Sequence, residues 1–164
     1  MIYWRFCVII FDGVNMMNRK NTAVFIGHKE CFGITKACIK KEIIKLTEKG
    51  VTEFLNGGQG QFDRLCALCV YELKECYPQI KNEIVILYPN FRIFHQELFD
   101  EIIYPDDFEK YHYKSAIPAR NQYMVKNAAY AICYITHQWG GASKTFQTAL
   151  KNNVTVINLA DTLA

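Results

Sequence analysis

Three times along this chain an apolar run of strand length stops at a glycine-bearing turn, and a segment of helical period follows. Residues 21–26 stop at Gly27-His28-Lys29, and residues 51–56 stop at Gly57-Gly58-Gln59-Gly60. Residues 128–135 lead to Trp139-Gly140-Gly141. Short, nearly continuous apolar runs suit strands buried on both faces of a parallel sheet, whose neighbours are joined by helical crossovers. Glycine permits positive φ and close backbone approach. The helix that opens just beyond such a turn presents unpaired N–H groups and a partial positive charge, which suits an anion. In a parallel sheet all three turns fall at the same edge, outside the carboxyl ends of the strands, where α/β proteins bind ligands.

The rest of the pattern agrees with this frame. Residues 35–49 carry Ile39, Ile43 and Leu46 at helical spacing, with Gly50 placed to end the helix. A second helix is expected over 61–77, with apolar residues at 62, 66, 69, 70, 73 and 76 and Pro78 beyond. Residues 83–88 read as a strand stopped at Pro89. The segment 90–118 is irregular, with a helix expected over 94–103 and a turn at Tyr104-Pro105-Asp106-Asp107. After Pro118 a short helix is expected over 120–127, then a strand over 130–135, a helix over 145–151 and a strand over 154–157. This alternation predicts an α/β three-layer sandwich around a mostly parallel central sheet.

At 164 residues, 51% of them hydrophobic, the chain fits one domain over 21–164. Residues 1–20 read as an extension: an edge strand around the apolar run 6–11, or a translational extension if Met16 or Met17 is the start. That run is too short to span a bilayer. A formal charge of +3, with lysines spread over helix faces, is too mild to mark a nucleic-acid binder. Seven cysteines, with Cys66, Cys69 and Cys76 on one apolar helical stripe, read as buried small hydrophobes in a reducing, cytoplasmic compartment. No second cysteine pair or histidine partner has metal-ligand spacing, so no metal site is expected.

Gly27-His28-Lys29, Gly57-Gly58-x-Gly60-x-Phe62-Asp63, Arg120-Asn121-x-x-Met124-Val125 and Gly140-Gly141-x-x-x-Thr145 occur in that order. Together they resemble the YpsA-like branch of the SLOG superfamily, which also holds the DprA/Smf DNA-processing proteins and the LOG phosphoribohydrolases. The resemblance covers about residues 21–158. It implies a Rossmann-like fold, a pocket for a nucleotide or nucleotide-derived ligand, and a homo-oligomer. One departure matters. Where LOG enzymes carry a glutamate after the second glycine turn, this chain has Gln147, which cannot supply negative charge to a cation-like sugar.

The expected ligand site therefore combines Gly57, Gly58, Gly60, Gly140, Gly141 and Thr145 around phosphate with His28, Asp63 and Asn121 near sugar or base, and Gly27 also lies in the site. Arg120 is either the bidentate partner of a phosphate or the partner of a carboxylate in 106–109. Asn121 either caps the short helix or meets the ligand, and Lys144 is either a counter-charge or an exposed first-turn lysine. Asp63 lies in the first turn of its helix, where the dipole already favours a carboxylate. It is also the candidate catalytic residue. His95, His112 and His137 read as surface or rim residues. The functional expectation is a sensor or ligand-binding module for a nucleotide or nucleotide-derived ligand. The alternatives are N-glycosidic hydrolysis of nucleoside monophosphates and, less in keeping with the charge, single-stranded DNA binding.

Overall fold

The computed structural model describes residues 9–11 and 18–162. Its strands are β1 (Ile9–Phe11), β2 (Thr22–Gly27), β3 (Glu53–Asn56), β4 (Lys81–Val85), β5 (Glu101–Tyr104), β6 (Tyr130–Tyr134) and β7 (Thr155–Asn158). Its helices are α1 (Lys36–Glu48), α2 (Gln61–Leu73), α3 (Tyr113–Lys126) and α4 (Gly140–Lys151). The strands form one sheet in the order β1-β5-β4-β3-β2-β6-β7, and every pairing is parallel. The expected three-layer Rossmann-like sandwich is what the chain forms.

Strand β2 shows why the sheet has two covered faces. Ala23 and Phe25 pack with Ile39, Ile43 and Leu46 of α1 and Phe62, Cys66 and Val70 of α2. Val24 and Ile26 pack on the other side with Met124 and Val125 of α3 and Ala149 of α4. Each fully buried side chain of this size contributes roughly 1.5–3 kcal/mol. The chain runs outward from β2 through β3, β4 and β5, then returns to lay β6 on the opposite side of β2. The direction of winding thus reverses around β2, and the loops after β2, β3 and β6 share the edge at that reversal.

Several boundaries differ from expectation for identifiable reasons. Residues 94–103 are not one helix: His95 adopts a left-handed φ of 56°, a short 3-10 turn spans Gln96–Leu98, and β5 begins at Glu101. Ile102 and Ile103 are buried beside β4, with Ile84 in register with Ile102. The side chain of Asn82 locks the entry to this strand, donating to Leu98 O (2.8 Å) and Ala67 O (3.1 Å). Helix α3 starts seven residues before Arg120 and carries Pro118 inside it. Lys114 and Pro118 are both exposed, so the carbonyl freed by proline faces water, which limits the cost. Helix α2 ends at Leu73, before Pro78, and that leaves Cys76 exposed while Cys66 and Cys69 are buried. The extension expected over 1–20 lies mostly outside the described residues; within it, Ile9–Phe11 pairs with Ile102–Tyr104.

Candidate functional site

Over the carboxyl edge of β2, β3 and β6 lies a cavity of about 1020 Å³, at the upper end of the range for small-molecule pockets, about 300–1,000 Å³. Of the twelve residues expected at a ligand site, Gly27, His28, Gly57, Gly58, Gly60, Asp63, Arg120, Asn121, Gly140, Gly141 and Thr145 line it. Lys144 does not; it is exposed on α4. Gln147 is likewise exposed and outside the cavity.

The two glycine turns are not equivalent. The first is filled by the protein's own acceptors. Gly58 N–H donates to Asn56 Oδ1 (2.7 Å), Gln59 N–H to Asp63 Oδ2 (2.9 Å) and Gln61 N–H to Lys29 O (2.8 Å). Asn56 also donates to Asp63 O at 2.7 Å, tying the end of β3 to the start of α2. At the second turn the residue before α4 is Trp139, whose side chain caps nothing. Gly140 has a φ of 90°, and a Cβ on either Gly140 or Gly141 would meet no atom within 4 Å. The α4 N-terminus therefore opens into the cavity with no side-chain cap from the residue before it, an arrangement that suits an anion.

Between the two turns runs a largely shielded hydrogen-bonded chain. The Arg120 guanidinium, 3% exposed, donates from Nη1 to Gly57 O (2.6 Å) and from Nη2 to Gln59 Oε1 (3.0 Å). Nε and Nη2 both donate to Asn121 Oδ1 at 3.2 Å. Asn121 Nδ2 donates to Thr145 Oγ1 (3.0 Å), and that hydroxyl donates to Gly141 O (2.9 Å). Arg120 thus has no carboxylate partner in 106–109; it holds the Gly57–Gln59 turn. Asn121 sits inside α3 rather than at its start, so it caps nothing and instead links α3 to α4.

Asp63 is 8% exposed. Burial raises its pKa to about 6, against the pull of the Gln59 N–H and the nearby Arg120 charge. The same burial lowers Arg120 from the usual guanidinium value. His28 is also lowered, first by burial and then by His137. Its Nε2 accepts from Thr136 N–H at 3.1 Å, which requires the unprotonated nitrogen.

Three groups outside the expected ligand site also shape the cavity. Gln59 bridges Asp63 and Arg120. His137 stacks on His28 with ring centres 3.7 Å apart, and Trp139 stacks on His137 at 3.9 Å. The only sequence signal for the ladder is that His137 and Trp139 directly precede the second glycine turn. Among the described residues, no three His, Cys, Asp or Glu side chains group as metal ligands, and no helix is long and apolar enough to cross a membrane.

Comparison with known proteins agrees with this architecture. The chain is similar to DNA processing protein A from Helicobacter pylori, solved for its single-stranded DNA binding mode, with 14% identity and a TM-score of 0.61. That match covers 86% of this chain and 66% of the other. DNA processing protein A from Streptococcus pneumoniae superposes with a TM-score of 0.59 at 16% identity, over 82% of this chain and 48% of the other. The chain therefore spans between about half and two thirds of these proteins, and at such identity the likeness is one of fold. Comparison with curated proteins returns no significant match. The sequence model described as the YspA SLOG family (YpsA) matches residues 18–159. By that match the chain belongs to the YpsA family of the SLOG superfamily.

Proposed function

We propose that the cavity binds a nucleotide or nucleotide-derived small molecule and that the protein acts as a sensor or ligand-binding module. The observation that carries this reading is the uncapped α4 N-terminus facing a cavity at the winding reversal of the sheet. Gly140 and Gly141 offer backbone amides to a phosphate, with Thr145 and Asn121 fixing the turn from behind. Gly57, Gly58 and Gly60 form the opposite wall, held by Arg120. Gly27 and His28 form the floor beside β2, where the neutral His28 ring suits contact with sugar or base. Such a module is expected to self-associate, and light scattering of the purified chain checks this.

A second reading rests on Asp63. A carboxyl raised to about 6 beside a cavity is suited to pass a proton near neutral pH, as N-glycosidic hydrolysis requires. Gln147, at the position where LOG enzymes carry a glutamate, lies outside the cavity and does not bear on this reading. Titrating the protein with the nucleoside 5′-monophosphates by calorimetry, and assaying the same mixtures for free base, separates the readings. Saturable binding without base release supports the module. Base release that disappears in Asp63→Asn supports the hydrolase. Salt-dependent binding of a single-stranded oligonucleotide, tighter than any monomer, would place the chain nearer in function to the DNA-binding H. pylori protein.

A further inference from the structure

Trp139 is 70% exposed although it lines the cavity and belongs to a ring ladder. One face of its indole rests on His137 at 3.9 Å with 19° between planes, and His137 rests on His28 at 3.7 Å and 17°. The ladder is anchored at its inner end, because His28 is 8% exposed and accepts the Thr136 N–H. An exposed indole held at a fixed angle is a surface prepared for a flat partner. Its position narrows the partner further. Trp139 immediately precedes Gly140, so its ring sits one residue from the open α4 amides. Phe32, 77% exposed, lines the same cavity, and its carbonyl accepts the Tyr134 hydroxyl from the end of β6.

We propose that Trp139, backed by His137 and His28, is the stacking platform for the heteroaromatic base of the bound molecule, with the phosphate at the α4 N-terminus. This rests on the nucleotide reading above and adds to it a base-recognition surface. Every nucleobase offers a π-face, so the ladder selects for a flat ring rather than for one hydrogen-bonding pattern. A purine, with the larger face, is favoured over a pyrimidine.

The test uses the full chain with Trp4→Phe, which leaves Trp139 as the remaining one of its two tryptophans. AMP, GMP, CMP, UMP and ribose 5-phosphate are each titrated while tryptophan emission and heat are recorded. The expected result is quenching of Trp139 by the purine monophosphates and none by ribose 5-phosphate. Adding Trp139→Ala should weaken AMP and GMP by about five- to 150-fold, the span of base stacking on one aromatic ring, and leave ribose 5-phosphate unchanged. Trp139→Phe should restore most of the loss. Undiminished AMP and GMP binding in Trp139→Ala, with no emission change in the parent, would overturn the platform while leaving the nucleotide reading intact. If none of the five probes binds, the nucleotide reading fails and the platform fails with it. An exposed side chain contributes little to folding, so the melting temperature of Trp139→Ala should match its parent.

Discussion

Gly27 and Gly141 illustrate two different reasons for a glycine at the cavity. A Cβ on Gly27 would lie 2.2 Å from the Phe62 ring, inside the core, so packing within the chain already requires glycine there. Gly141 meets nothing within 4 Å and has no positive φ; nothing in the chain itself calls for it. Gly27→Ala should therefore destabilise the fold by about 1–3 kcal/mol through overpacking. Gly141→Ala should leave stability unchanged or raise it by up to about 1 kcal/mol, since alanine is the better helix residue, while weakening nucleotide binding. Denaturation curves and calorimetry on the two variants check this. Arg120 carries a different lesson. The sequence offered it a phosphate or a carboxylate, yet its donors hold Gly57, Gln59 and Asn121. Arg120→Met should lower stability by about 1.5–3 kcal/mol, the scale of hydrogen bonds to a buried charged group. Urea denaturation with an unshifted midpoint would contradict this.

At the scale of elements, legibility followed burial pattern. Strand β2, strand β6 and helix α1 were readable because their apolar residues match one period without interruption. Strand β5 was not, because four residues between two left-handed turns, at His95 and Asp107, carry too little periodicity to outweigh the apparent helix around them. Pro118 is a strong stop signal, so the sequence predicts a shorter helix than α3, and only the exposed placement of the proline makes it tolerable within the helix. The chain of hydrogen bonds from Gly57 to Gly141 was equally hidden, since it joins residues far apart in sequence through tertiary contact alone. Strand pairing also created an electrostatic feature no local pattern announced. Glu83 on β4, 2% exposed, is raised from 4.5 to about 8, first by burial and then by Glu53 on β3 and Glu101 on β5, with Lys81 opposing. The native state therefore keeps a proton that the unfolded chain releases near 4.5. Between these values stability should fall as pH rises, by up to about 1.4 kcal/mol per pH unit. Glu83→Gln should flatten that slope; denaturation midpoints measured from pH 5 to 8 would show it.

For the molecule as a whole, the sequence constrained where the chemistry would gather more firmly than what the chemistry is. Parallel pairing forces the loops after β2, β3 and β6 to one edge, and the return of the chain from β5 to β6 opens the cavity there. The turns differ in a way that only tertiary contact decides: one is closed by Asn56, Asp63 and Lys29, the other is open at α4. The same architecture occurs in DNA processing proteins of greater length. Amide-resolved NMR spectra of the chain, titrated with a pool of the four ribonucleoside monophosphates, address the central claim most directly. The expected result is saturable shifts of the Gly140, Gly141 and Ala142 amides, larger than those of Gly58 and Gln59. Spectra that do not change, or shifts confined to residues away from the cavity, would contradict it.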